Sequence, residues 1–313
     1  MSSFLNQVFL VTFLAASIRM AVPILLAAIG EIFAERAGIS NINLEGQMLV
    51  GAFGAFLATY YTNSLLLGTL AGAISGALLA LLLAYVCITL KVDQIITGIT
   101  LNIFATGITS FIYRALFGVT SLPPAVSTYK TISIPILGKI PFLGPILFEQ
   151  NILVYITVII FIIANILLFK TKPGLRIRAA GEYPRAAETM GVNIFEVRYI
   201  STMICGALAG IGGAFLPLGI LGGFVEKISA GRGFIALAIV IFGKWSPYKA
   251  LGAGLLFGAA DALQLRLQAM GMQMPYQFLL MLPYLLTIFA MVFTGKNTVG
   301  PAAVGKPYDR EEI

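Results

Sequence analysis

The chain has 313 residues, of which 59% are apolar and 11% charged, with a formal net charge of +7 and no histidine. Apolar runs of roughly 20 residues recur along its whole length, each able to cross a hydrocarbon core of about 30 Å as a helix. The basic residues gather in loops and the only cysteines are Cys87 and Cys205, which argues against a nucleic-acid-binding surface, a zinc or haem centre and an attached soluble domain.

In lipid, every backbone polar group must be bonded internally, so the runs are expected to be helices. The strand alternation of a membrane barrel is absent. The expected architecture is all-α and polytopic, one domain over residues 1–313. The opening MSSFLNQVFLVTFLAAS lacks a basic start and its apolar run continues past Arg19 to Gly30, so an uncleaved first span is expected. Candidate spans follow at 4–30, 45–61, 64–90, 94–113, 151–169, 199–221, 230–243, 248–266 and 276–294, nine in all, or ten if the first run breaks at Arg19 or Pro23. Cys87 and Cys205 sit in separate apolar runs and are read as buried small residues rather than a disulfide.

Residues 170–198, KTKPGLRIRAAGEYPRAAETMGVNIFEVR, form a polar stretch with six Lys or Arg between two spans. A basic loop of this kind is expected in the cytoplasm. Alternation then places residues 114–150 outside the cell; that segment has five prolines and only three basic residues. Arg36, Lys91 and the tail with Lys296, Lys306 and Arg310 fall inside, and nine spans leave the N-terminus outside.

Ile39–Gly54 (ISNINLEGQMLVGAFG) and Ile228–Gly243 (ISAGRGFIALAIVIFG) are alike. Each opens with polar and glycine residues, enters a short apolar helix and precedes a glycine-rich span. In this topology they run in opposite directions, as the halves of an inverted repeat would. Glycines recur at helix spacing at 68, 72 and 76, at 206 and 210, and at 254 and 258. Such stripes let helices approach closely and carry no information about cargo.

Within the cytoplasmic loop, Glu182-Tyr-Pro184-Arg-Ala186-Ala187-Glu188 has the marks of a helix start. Pro184 is tolerated in a first turn and acids there complement the helix dipole. Gly191 can close the helix in a left-handed cap. This pattern fits either a docking helix that transmits a push or a solvated loop that only sets topology.

Polar groups inside spans are costly and raise functional questions. Glu45 stands beside Asn41, Asn43 and Gln47 at a span start, where these groups either line a polar pathway or cap and pack a helix. Asn102, mid-span, either bonds a cargo or joins two helices. Asp261 and Gln264 share a helix face; they line a pathway, or Asp261 pairs with Arg266. Arg19 marks a span edge or pairs with Glu31 or Glu45. The aromatics Phe104, Phe111, Tyr113, Phe224 and Phe234 suit stacking on a base or, for most, a lipid-facing belt.

The run Ala179–Asn193, AAGEYPRAAETMGVN, resembles the coupling segment of ABC importer permeases, in the branch holding ribose, branched-chain amino acid and nucleoside permeases. Residues 23–46 (PILLAAIGEIFAERAGISNINLEG), 93–102 (DQIITGITLN) and 231–247 (GRGFIALAIVIFGKWSP) look most like nucleoside-type members. The resemblance covers nearly the whole chain, although the loop departs from the longer motif of maltose-type importers. It implies a non-catalytic permease subunit in a bacterial-type cell membrane. A second permease subunit, often a different chain, would complete the pathway, two cytoplasmic ATP-binding subunits would dock on the coupling helices, and an extracytoplasmic protein would deliver a nucleoside. ATP and Mg would be used by the partner ATPase and no cofactor bound by this chain. Gly181, Glu182, Pro184, Ala186, Ala187, Glu188 and Gly191 would carry the coupling.

No Gly-x-x-x-x-Gly-Lys-Ser/Thr loop is present, so the chain is not the ATPase. The sequence also leaves ribose-like sugars or branched-chain amino acids as cargo, and an ion-coupled secondary transporter as a separate class. An intramembrane enzyme would need a nucleophile–base pair or a metal set, and neither is legible.

Overall fold

The computed structural model describes residues 2–118, 124–135, 137–270 and 299–309, with five isolated positions between 271 and 298. Ten α-helices form among these residues: α1 (Ser2–Arg36), α2 (Leu44–Thr62), α3 (Leu65–Ala84), α4 (Gln94–Phe117), α5 (Ile152–Lys170), α6 (Lys172–Glu182), α7 (Pro184–Thr189), α8 (Ile194–Phe215), α9 (Arg232–Phe242) and α10 (Pro247–Ala269). Short π-helical turns extend α3 over Tyr85–Thr89 and α8 over Leu216–Leu221. Two three-residue strands, β1 (Thr131–Ser133) and β2 (Glu149–Asn151), pair antiparallel with Thr131 opposite Asn151.

Six helices are long and apolar enough to cross a membrane among the described residues. The first, α1, runs through Arg19 and Pro23 without a break, so the ten-span alternative does not arise. The 230–243 run is not a full span: its helix, α9, has 11 residues. At 1.5 Å per residue that is roughly 16 Å, about half a hydrocarbon core. At 19 residues α2 is long enough to cross, but it carries Glu45 and Gln47 and is mostly buried within the bundle, so it falls short of the hydropathy of a lipid-facing span. The run at 276–294 lies outside the described residues.

The centre of the bundle is α8, which packs against α1, α2 and α3. Its glycines explain this. A Cβ at Gly206 or Gly210 would collide with the α3 backbone at Gly76 or Gly72. One at Gly213 would strike the Met48 carbonyl of α2, and one at Gly212 would stand 2.6 Å from the Pro23 carbonyl of α1. Three helices thus approach one helix at backbone distance, where close packing replaces the missing hydrophobic drive. The stripe at Gly254 and Gly258 seats α10 on Leu25 and Ala21 of α1 in the same way. Opposite lie the lipid-facing stripes. Leu66, Leu70, Ile74 and Leu78 repeat every fourth residue along α3, all exposed.

Arg36 lies 3.9 Å from Glu182, and Lys91 pairs with Asp309, so the ends of α1, α3, α6 and the tail share one face. On the opposite face the 124–151 segment covers the end of α8, with Val126 N–H on Gly222 O (2.9 Å) and Tyr129 N–H on Leu218 O (2.8 Å). Arg114 grips Glu226 there with two hydrogen bonds of 2.8 and 3.0 Å. Its guanidinium holds the Glu226 carboxyl below the usual carboxylate range.

Candidate functional site

Two regions gather the polar residues, a junction inside the bundle and the face that carries α6 and α7. At the junction the chain leaves α1, turns back through 37–43 and starts α2 within the bundle. Asn41 shapes the turn. Its side chain accepts from Asn43 N–H (3.1 Å), exchanges hydrogen bonds with the Gln47 amide (2.9 and 3.3 Å) and donates to Cys205 Sγ (3.1 Å). Its N–H donates to Glu31 Oε1 at 2.9 Å, and the Cys205 thiol donates to Glu31 Oε2 at 3.3 Å. Asn102 of α4 spans the same turn, accepting from Gly46 N–H (2.7 Å) and donating to Ile42 O (2.9 Å). It satisfies an open end of α2 in place of Asn43, whose own side chain makes no cap bond.

Glu45 points away from its own helix end. Its Oε1 accepts from Ser229 Oγ–H (2.6 Å) and Gly231 N–H (2.9 Å), and its Oε2 accepts from Gly233 N–H (2.8 Å). One carboxylate thus closes the N-terminus of α9, where three donors and the helix dipole converge. The approach demands glycine: Gly231 has φ +81°, and a Cβ at Gly233 would collide with the Glu45 backbone. The helices α2 and α9 therefore start side by side and run to opposite faces, the antiparallel relation that the two similar segments imply.

Asp261 of α10 pairs with Arg232, the first residue of α9, at 3.3 Å, and not with Arg266. Arg266 instead lies over the Phe9 ring and donates to Phe9 O (3.0 Å). Gln264 lies one turn beyond Asp261, half-buried. Arg19 pairs with neither Glu31 nor Glu45; it lies midway along α1 and lines a pocket of about 230 Å³ with Tyr129, Thr131, Asn151 and Gly219. Of the aromatics, Tyr113 and Phe224 are buried together and pack with Phe53 and Phe56, whereas Phe104, Phe111 and Phe234 are exposed. An Asp261→Asn chain should keep the hydrogen bond and lose the charge. We expect its melting midpoint in detergent to fall by a few degrees, corresponding to about 1–3 kcal/mol for a partly buried pair; an unchanged midpoint would show that the pair carries no stability.

On the other face, the expected helix around 182–191 is α7, Pro184–Thr189, with Pro184 in its first turn. Gly191 has φ +82° and donates to Glu188 O (2.8 Å), the left-handed closure its position suggests. A longer helix, α6, precedes it. Gly181 lets α6 lie on the end of α1, because a Cβ there would meet the Arg36 carbonyl. Ala186 is exposed and Ala187 is buried against Ala180 and Ile194. Ala187 is therefore a packing residue of α7. Two highly exposed apolar groups flank the helix: Tyr183 at 74% and Met190 at 84%.

Several residues here escape a reading of the sequence. Arg198 is 2% exposed with no carboxylate beside it among the described residues, its Nε donating to Ala37 O (3.2 Å) and its Nη1 to Lys306 O (3.1 Å). Glu35 is buried and accepts from the Trp245 indole, while Arg36 donates to Trp245 O at 3.2 and 3.1 Å. The only linear signal was charge beside an apolar run, which topology alone accounts for.

The chain belongs to the family described as branched-chain amino acid transport system / permease component, whose model matches residues 13–291. It is an ABC transporter permease subunit and a multi-pass membrane protein. It is 40% identical to the guanosine ABC transporter permease NupQ of Bacillus subtilis, over 94% of this chain and 95% of the relative. Against the nucleoside ABC transporter permease NupC of Lactococcus lactis the identity is 35%, over 91% and 93%. A putative glucose ABC transporter permease, TsgC13 of Haloferax volcanii, is 34% identical over 95% and 97%.

Proposed function

We propose that this subunit moves nucleosides, purine nucleosides in particular, across a bacterial plasma membrane. It is driven by separate cytoplasmic ATPase subunits and does no chemistry itself. The observation that carries the cargo is the 40% identity, over 94% of the chain, to a guanosine permease. A neutral cargo is consistent with the junction, whose charged groups are engaged within the protein: Glu45 by α9, Asp261 by Arg232. Within that reading Asn41, Asn43, Glu45, Gln47 and Asn102 frame the start of α2, and Asp261 and Gln264 lie on the α10 side of the pathway. ATPase force enters through Gly181, Glu182, Pro184, Ala186, Ala187, Glu188 and Gly191, with Tyr183 and Met190 as apolar anchors. The partners are a second, different permease, the ATP-binding subunits and an extracytoplasmic binding protein. The glucose relative favours a second reading, a monosaccharide permease.

The two separate in one uptake experiment on the reconstituted assembly with labelled guanosine. ATP-dependent uptake blocked by excess inosine more strongly than by excess uridine, and not by glucose, ribose or leucine, is expected. Absent guanosine uptake together with glucose uptake would replace the nucleoside reading with the sugar one.

A further inference from the structure

The C-terminal segment Pro301–Asp309 does not trail into solvent. It lies across the coupling face and is tied there at separate points. Ala303 N–H donates to Gly181 O at 2.9 Å, which fixes the segment to the end of α6. Lys306 O takes the Nη1 of buried Arg198 at 3.1 Å, which fixes it to α8. The Tyr308 ring is buried beneath the Arg198 guanidinium and edge-on to Phe195, while its hydroxyl donates to Glu188 of α7. Asp309 pairs with Lys91 in the turn between α3 and α4. A buried guanidinium held by backbone carbonyls needs each of its acceptors, because an unanswered charged donor is costly. Arg198 draws one from the α1 end, Ala37 O, and one from the tail. The tail therefore completes the joint between α7, α8 and α1.

The segment also has a free edge. Together with the start of α7 it encloses a cleft of about 460 Å³, walled on one side by Tyr183, Pro184 and Ala186 and on the other by Lys306 and Pro307. Tyr183, Ala186, Lys306 and Pro307 are exposed. Tyr183, one of the exposed apolar residues flanking α7, lines the cleft itself.

We propose that Pro301–Asp309 is a working part of the coupling apparatus: it forms the second wall of the ATPase docking cleft and ties that wall to α8. The inference rests on the reading of α6–α7 as the coupling element. A displacement of α7 by the ATPase then reaches α8 by two routes, through the covalent turn at 190–193 and through Glu188, Tyr308 and Arg198.

The test uses the full complex in inside-out vesicles and a membrane-impermeant maleimide. Single Ala186→Cys and Pro307→Cys chains are labelled with the ATPase subunits bound and after they are stripped. Bound ATPase is expected to slow labelling at both positions by at least about fivefold, as an interface that excludes water does. Protection at Ala186→Cys with none at Pro307→Cys would overturn the tail's part in the interface and leave the coupling reading standing. Protection at neither position would remove the coupling reading as well. The tie to α8 is read separately with Tyr308→Phe, which keeps the ring on Arg198 and deletes the hydroxyl. Guanosine taken up per ATP hydrolysed is expected to fall about tenfold or more in an intact complex, the scale of one hydrogen bond to a charged group. An unchanged ratio would overturn the tie.

Discussion

Replacing Glu45 with alanine is expected to remove most of the folded protein, and replacing it with glutamine much less. The Glu45 carboxylate answers three donors at the start of α9, two of them backbone N–H groups that no other residue meets there. The three bonds are part-buried, so leaving their donors unanswered costs toward the low end of about 1–3 kcal/mol each, about 3–5 kcal/mol in Glu45→Ala, against a typical whole-domain stability of about 5–15 kcal/mol. Glu45→Gln keeps one acceptor oxygen and the side-chain shape, and loses the charge facing the α9 dipole, worth about 0.3–2 kcal/mol, as well as one acceptor. The check is the yield and melting midpoint of monodisperse protein in detergent for both variants. A Glu45→Ala chain that melts like the parent but transports nothing would assign the carboxylate to the cargo rather than to the frame.

The second large effect is steric. Gly210→Val is expected to yield no correctly packed protein. A Cβ at Gly210 would collide with the Gly72 carbonyl of α3, and the Gly51 position of α2 presses on the Gly210 backbone from another side. Neither obstacle is a side chain that can swing away. Overpacking costs about 1–3 kcal/mol where the surroundings relax, and more where backbones must separate. Gly107 of α4 is the control, because nothing lies within 4 Å of a Cβ built there. Gly107→Val should elute and melt as the parent does. Equal behaviour of the two variants would mean that α8 is not held at backbone distance.

Much of this frame was legible in the sequence. The run at 151–169 matches α5 to within one residue, because a lipid-spanning helix must be apolar for its whole length; the run at 45–61 matches α2 as closely, although that helix is buried in the bundle and carries Glu45 and Gln47. The glycine stripes foretold close helix packing, though not that α3 and α8 are the pair that makes it, and Gly191 foretold a left-handed closure. The run at 230–243 misled, because hydropathy records that a segment is buried and not whether it crosses or stops halfway. The partner of Glu45 lies 184 to 188 residues away, so only the fold shows that the two similar segments meet at their starts. Arg198, Glu35 and Trp245 were silent for a related reason. A cation beside a span is what topology requires in any case, and its burial under the tail depends on residues more than a hundred positions away.

The central claim is that α7 and its flanks receive the ATPase. The most direct measurement is co-purification of the ATPase subunits with a Tyr183→Asp, Met190→Asp chain, alongside its melting midpoint. Both side chains are largely exposed, so the fold should be unaffected, while two charges placed on the apolar docking surface should repel the partner. Loss of the ATPase from a permease that melts normally is the predicted result. Full retention of the ATPase, with ATP-driven uptake unchanged, would contradict the account.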